Sequence, residues 1–190
     1  GAFYAVQSIF GLVDSQNADS LPQLSIQDAP RFDYRGVMVD VARNFHSKDA
    51  ILATLDQMAA YKMNKLHLHL TDDEGWRLEI PGLPELTEVG ANRCFDTQEK
   101  SCVLPQLGSG PTTDNFGSGY FSKTDYVEIL KYAKARNIEV IPEIDIEKER
   151  EALKPVLAPV FNLMSIAGVK AAEDERAAIA PENQELMTHS

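Results

Sequence analysis

Three short, mostly apolar runs, separated by two stretches of helical periodicity, constrain this chain more than any other feature. They are VMVDVA (37–42), KLHLHL (65–70) and IEVIPEI (138–144). AILATLDQMAAYKM (50–63) and DYVEILKYAKARN (125–137) lie between them, with apolar residues recurring at helical intervals. Ser47 is placed to cap the first helix, and Ser122 or Thr124 the second. Strand, helix, strand, helix, strand is the repeating unit of a parallel α/β sheet. Runs as apolar as the first are typical of strands buried on both faces. The fold class expected is therefore α/β. An eight-stranded barrel takes about 250 residues, so a chain of 190 residues with three such strands would hold only part of one.

The flanks are less regular. Phe3, Val6, Ile9, Phe10 and Val13 have a helical spacing that would bury one face. The opening GAFYAVQSIFGLV lacks a basic leader and a small-residue cleavage site, which argues against a signal peptide. Asn17 to Pro22 breaks this helix, Leu24-Ser25-Ile26 alternates like a short strand, and Pro30 marks a boundary. From Pro81 to about Phe121 the chain is loop-rich. After Asp145 it turns Ala- and Glu-rich, with Pro155, Pro159 and Pro181, and reads as short interrupted helices.

Charge narrows the partners. The net charge of -11 and pI near 4.8 argue against nucleic acid, because neutralising phosphates needs surplus Lys and Arg. No apolar run approaches the roughly 20 residues that span a bilayer, so neither membrane nor nucleic acid is an expected partner. Cys94 and Cys102, eight positions apart in a polar loop, leave two readings open: a small disulfide in an exported protein, or two free thiols.

In parallel α/β folds, functional groups gather where strands end. Three clusters fall there. Asp40 and Arg43 follow the first strand; the guanidinium fork suits a carboxylate or a pair of sugar hydroxyls, or else pairs with a neighbouring acid. Asp72-Asp73-Glu74 follows the second, where adjacent like charges favour a raised pKa or a partner cation, or simply a solvated turn. Trp76 beside it offers a stacking face for a sugar ring or packs on the loop. Glu143 and Asp145 alternate at the third strand end and share one side. His67 and His69 share one face of the second strand. They could ligate metal, but no well-placed third ligand accompanies them, so structural histidines are expected.

Together, YRGVMVDVARNF, KMNKLHLHLTDDEGWRLEIPGLPELTEVG and FSKTDYVEILKYAKARNIEVIPEID resemble bacterial chitobiases, the β-N-acetylhexosaminidases of glycoside hydrolase family 20, over about residues 1–145. The resemblance implies the first three β/α units of a (β/α)8 barrel over 28–145. It implies the end of a preceding small α/β domain over 1–27, with 146–190 left as a divergent helical tail. It gives Arg43 the role of holding hydroxyls of the terminal N-acetylhexosamine. It gives Asp73 that of supporting a histidine bonded to the catalytic Glu. It also strengthens the Cys94–Cys102 disulfide and a periplasmic or secreted location. In the family the substrate's own acetamido oxygen attacks the anomeric carbon, an Asp orients it and the adjoining Glu protonates the leaving oxygen.

The departures bear on activity. No H-x-G-G-D-E-like strand end occurs; Asp174-Glu175 is the nearest dipeptide, and no strand precedes it. Glu147 and Glu149 stand where the family pattern has Pro and the supporting His. No catalytic pair is therefore expected in this chain, and no metal or cofactor. The expected ligand is an N-acetylglucosamine-containing oligosaccharide, and the expected protein partner a second copy or a completing chain. Two functions follow: a segment of a hexosaminidase inactive by itself, or a non-catalytic truncated barrel that binds sugar or self-assembles.

Overall fold

A computed structural model describes residues 1–16, 23–106 and 109–145. Its elements in chain order are α1 (Ala2–Gln16), β1 (Gly36–Asp40), α2 (Lys48–Ala60), β2 (Lys65–Asp72), β3 (Gly75–Trp76), α3 (Glu85–Glu88), α4 (Lys123–Ala135) and β4 (Glu139–Ile144). β2 is the centre of the sheet. It pairs in parallel with β1 on one side, Gly36 opposite Lys65 and Asp40 opposite His69. On its other side it pairs in parallel with β4, Lys65 opposite Glu139 and His69 opposite Glu143. Each parallel step is made through a helix, as parallel connections require.

Local chemistry fixes the helix ends. The Ser47 hydroxyl accepts from the Ala50 N–H, satisfying one of the orphan donors at the start of α2. At α4 the cap is reciprocal: the Asp125 N–H donates to the Ser122 hydroxyl, and the Ser122 N–H to the Asp125 carboxylate. Just beyond the helices, Lys62 and Asn137 take left-handed backbone angles, φ 56° and 59°, which turn the chain into β2 and β4.

The core lies between the sheet and these two helices. Leu66, Leu68 and Leu70 of β2 are completely buried. They belong to one cluster with Ile51, Leu55 and Met58 of α2 and Tyr126, Ile129 and Ala133 of α4. At about 25 cal/mol per Å² of apolar surface, this cluster is the main term holding the helices on the sheet.

Four expectations change. β1 is an edge strand among the described residues and is not buried on both faces: Met38 is 53% exposed, because no described element covers the face it shares with His67. Of the apolar face of α1, Phe3 packs on the core while Val6, Ile9, Phe10 and Val13 are exposed. Leu24-Ser25-Ile26 is extended and exposed rather than a strand, since no neighbouring strand offers a ladder. The sheet is mixed: β3 folds back on β2 as an antiparallel pair, Thr71 opposite Trp76, so the acidic triplet forms a hairpin turn. The breaks expected at Asn17–Pro22 and the helices expected over 146–190 lie outside the described residues.

α1 rests at the amino ends of the strands. The Asn137 amide donates to the Tyr4 hydroxyl, the Lys62 ammonium to the Ser8 hydroxyl, and the Arg35 guanidinium lies over the Tyr4 ring. The carboxyl ends, where the three side-chain clusters converge, lie on the far side of the sheet from α1. No helix among the described residues is long and apolar enough to cross a membrane.

Candidate sugar-contacting site

Alternation along β2 sends leucines toward the helices and His67 and His69 the other way. The parallel register sets Met38 and Asp40 of β1, and Ile141 and Glu143 of β4, level with those histidines on the same face. Polar groups from three strands thereby meet at one edge of the sheet.

They form a continuous chain of ion pairs. The Glu143 Oε2 atom lies 2.7 Å from His67 Nε2 and 2.8 Å from His69 Nδ1. On its other side the His69 ring has Nε2 2.9 Å from the Asp72 Oδ2 atom. The same Asp72 oxygen accepts from an Arg43 terminal nitrogen at 2.5 Å. The other Arg43 terminal nitrogen donates to Asp40 at 2.7 Å, and Arg43 Nε lies 3.5 Å from Glu74. The Arg43 backbone N–H also donates to Asp40, at 3.0 Å. The Nδ1 contact with Glu143 is close but poorly aligned, so it is an ion pair more than a hydrogen bond.

The protonation states follow from this arrangement. Burial works against a charge on His69, but the Glu143 and Asp72 carboxylates outweigh it and raise the imidazole above its ordinary value. Nε2 faces Asp72 as a hydrogen-bond donor, and a second proton on Nδ1 would meet the Glu143 carboxylate. Burial likewise opposes ionisation of Asp72, Asp40 and Glu143. Hydrogen bonds from the Asp73 backbone and His69 (Asp72), from Arg43 (Asp40) and from His69 (Glu143) prevail, and all three carboxyls are lowered. Arg43 is raised, chiefly by its bond to Asp40.

Arg43 is thus oriented by three acids while its side chain remains 49% exposed. Of its five N–H groups, two are taken by Asp40 and Asp72, and Nε faces Glu74 as an ion pair without a hydrogen bond; one on each terminal nitrogen remains for a ligand. Two donors on one fixed guanidinium suit a pair of neighbouring hydroxyls. The surrounding acids make an anionic ligand unfavourable, because the guanidinium charge is already neutralised.

The other expected site residues fall as follows. Asp73 is exposed at the hairpin turn, where its backbone N–H donates to Asp72; it is Asp72 that joins the network. Trp76 packs on the loop: its indole N–H donates to the Leu78 carbonyl at 2.5 Å, and its Cβ abuts Gly90. Asp145 is exposed, and its main-chain carbonyl accepts from the Thr71 hydroxyl. Donor atoms of His69, Asp72 and Asp145 lie within 4.8 Å of one another. The Asp72 oxygen is already shared by Arg43 and His69 Nε2, so an ion-pair network describes them better. Cys94 and Cys102 are joined, their Cα atoms 5.7 Å apart. Glu147, Glu149 and Asp174-Glu175 lie outside the described residues.

Two residues that sequence reasoning missed hold the site's floor. Arg77 is fully buried and donates to the carbonyls of Val41, Ala42, Ala91 and Gly119 at 2.9–3.2 Å. Burial, with Arg93 nearby, lowers its guanidinium to about 10. Arg93, also buried, donates to the carbonyls of Ala42, Arg43 and Glu74. Together they pin the chain after β1 to the long 77–121 connection. Arg77 could have been found as a charge inside the apolar stretch WRLEI; Arg93, in a polar loop, gives no such sign.

Comparison with known proteins accords with this architecture. Residues 32–158 match the catalytic domain of glycosyl hydrolase family 20. The chain is 79% identical over 188 residues to the N,N'-diacetylchitobiase of Vibrio harveyi, covering 99% of this chain and 21% of that protein. It is 62% identical over 146 residues to a beta-hexosaminidase of Vibrio vulnificus, covering 77% of this chain and 17% of that one. Among solved structures it is similar to a family 20 exo-β-N-acetylglucosaminidase from Vibrio harveyi in complex with N-acetylglucosamine: 42% identity, TM-score 0.56, 68% of this chain and 20% of that one. The chain spans about a fifth of the length of these relatives. The 188-residue alignment runs past Asp145 into the segment that the motif resemblance leaves unmatched. The described sheet is accordingly a piece of a β/α barrel-type domain, and the chain belongs to glycosyl hydrolase family 20.

Proposed function

We propose that these residues are the first three β/α units of the (β/α)8 barrel of an exported β-N-acetylhexosaminidase that removes terminal N-acetylhexosamine from chitooligosaccharides. The observation that carries this reading is Arg43: a half-exposed guanidinium, held by Asp40, Asp72 and Glu74, with two donors left for neighbouring hydroxyls. It would grip the terminal sugar while the substrate's acetamido oxygen attacks the anomeric carbon, the substrate-assisted route of this family. The family pattern assigns Asp73 the support of a histidine at the place of Glu149; Asp72 is the neighbour that contacts both Arg43 and His69. The Cys94–Cys102 bridge supports a periplasmic or secreted location, where disulfides persist.

The orienting Asp and the acid Glu of that route have no counterpart among these 190 residues. Loss of a general acid alone costs about 10²- to 10⁴-fold. The isolated chain is expected to release no chromophore from an aryl N-acetylglucosaminide, while the full-length protein does. Turnover by the 190-residue chain would refute this, and inactivity of the full-length protein would refute the hydrolase reading. A second reading, a sugar-binding or self-assembling module, is favoured by exposed Val6, Ile9, Phe10 and Met38. Concentration-dependent dimers that lack sugar affinity would support it.

A further inference from the structure

We propose that His69 is a positioning residue for Arg43: clasped between Glu143 and Asp72, its imidazolium holds the Asp72 carboxylate where that carboxylate fixes the guanidinium. The inference rests on the reading of Arg43 as the sugar-gripping arginine, and it extends that reading to a group that does not touch the sugar.

The argument is geometric. His69 is buried, with its side chain 4% exposed, so it is shut away from the ligand side on which Arg43 is half open. The Asp72 Oδ2 atom is shared: His69 Nε2 stands 2.9 Å away and Arg43 2.5 Å away. An acceptor with donors on both sides has one position that satisfies both. Take away the imidazole donor, and only Arg43 and the Asp73 N–H remain to hold it. Glu143, 2.8 Å from Nδ1, keeps the second proton on the ring and in turn faces His67. The charged and titratable groups facing His69 are Asp40 and Arg43 from β1 and its loop, His67 and Asp72 from β2, and Glu143 and Asp145 from the end of β4. The helices cover the opposite face and bring none.

A consequence follows for pH. While His69 is doubly protonated, Nε2 donates to Asp72 and the charged ring pairs with Glu143 through Nδ1. When it loses a proton, one of its two acid contacts becomes a meeting of lone pairs. If Asp72 is the one released, Arg43 swings with it. Burial opposes the charged ring, yet the two carboxylates win, so the loss comes above the ordinary imidazole value.

The test uses the full-length protein, an aryl N-acetylglucosaminide and steady-state kinetics across pH, with Arg43→Ala as the reference for the sugar contact. Glutamine places its amide nitrogen near the position of imidazole Nε2, and asparagine near Nδ1. His69→Gln therefore keeps a donor for Asp72, while His69→Asn keeps one only for Glu143. His69→Asn should raise KM about tenfold, the worth of one charge-assisted hydrogen bond, and His69→Gln less than about threefold. The wild-type KM should climb at alkaline pH, and His69→Gln should abolish that climb. Glu143→Gln, which leaves the Asp72 contact in place, should move it to lower pH. If Arg43→Ala raises KM but the two His69 variants behave alike and the alkaline climb survives in both, the inference falls and the sugar reading stands. If Arg43→Ala leaves KM unchanged, the reading falls and takes the inference with it.

Discussion

The two faces of β2 are built from the same alternating hexapeptide, KLHLHL, and do opposite work. On one face, Leu66, Leu68 and Leu70 are completely buried against α2 and α4, so each contributes through apolar surface removed from water. On the other, His67 and His69 face acids from β2 and β4, and the energy there depends on charge, alignment and pH. The first face tolerates little change in volume, because cavities are costly. The second tolerates little change in protonation. The scaffold and the site are thus two sides of one strand, and each can be perturbed separately.

The largest expected effect tests the apolar face. Leu68→Ala should destabilise the chain by about 2–5 kcal/mol, the range for emptying a packed leucine site. Urea unfolding should show this as a lower midpoint, and an unchanged midpoint would mean that the sheet and helices are not packed as described. Next comes the buried Arg77 that binds the two faces' loops together. Arg77→Met would take a donor from the carbonyls of Val41, Ala42, Ala91 and Gly119, of which Ala42 keeps Arg93 and Ala91 the Gly119 N–H, and should cost about 3 kcal/mol. Hydrogen exchange should then quicken at Ala91 and Gly119, beyond the substitution itself. Opening the Cys94–Cys102 bridge in a double Cys→Ser variant should cost about 2.5 kcal/mol by loop-closure entropy, without moving the Leu68 cluster. A loss as large as that of Leu68→Ala would show that the 77–121 connection is part of the core.

The smallest effect distinguishes the ionic face. The folded-state imidazole of His69 is raised, so its contribution is complete below the ordinary histidine value and fades as pH climbs through the raised one. Asp40, Asp72 and Glu143 are lowered, so theirs is complete above the ordinary carboxyl value and is lost as pH falls through the lowered ones. Stability should therefore form a plateau between these limits. Leu68→Ala should lower the plateau without altering its shape, while His69→Gln should remove the alkaline shoulder. A shoulder that survives in His69→Gln would have to come from another group.

Much of the scaffold was legible in the sequence. The three strands, the helices between them and the Ser47 and Ser122 caps follow from short-range periodicity and from side chains that reach their own backbone. The hairpin after Thr71 was not, because a two-residue strand is too short to show a period. The exposure of the α1 apolar face and of Met38 was also illegible: periodicity reveals which side of an element is apolar, but not whether anything lies against it. In the site, Arg43, Glu143 and the shared face of His67 and His69 could be placed at the strand ends. That Asp72 contacts both His69 and Arg43 could not, since adjacent residues in a tight turn diverge by an angle that only the backbone sets.

By itself the sequence determined what is local or written as a motif: the α/β class, the helix boundaries and the family. Only the tertiary structure decided that Glu143 would sit between two histidines some 75 residues earlier in the chain, that Asp72 would bridge His69 and Arg43, and that Arg77 and Arg93 would be buried. The physical reason is that ion pairs and buried hydrogen bonds depend on ångström-scale distances across strands. Those distances are fixed by the parallel register of β1, β2 and β4, which arises from packing the leucine face and leaves no trace in the spacing of the residues that it brings together.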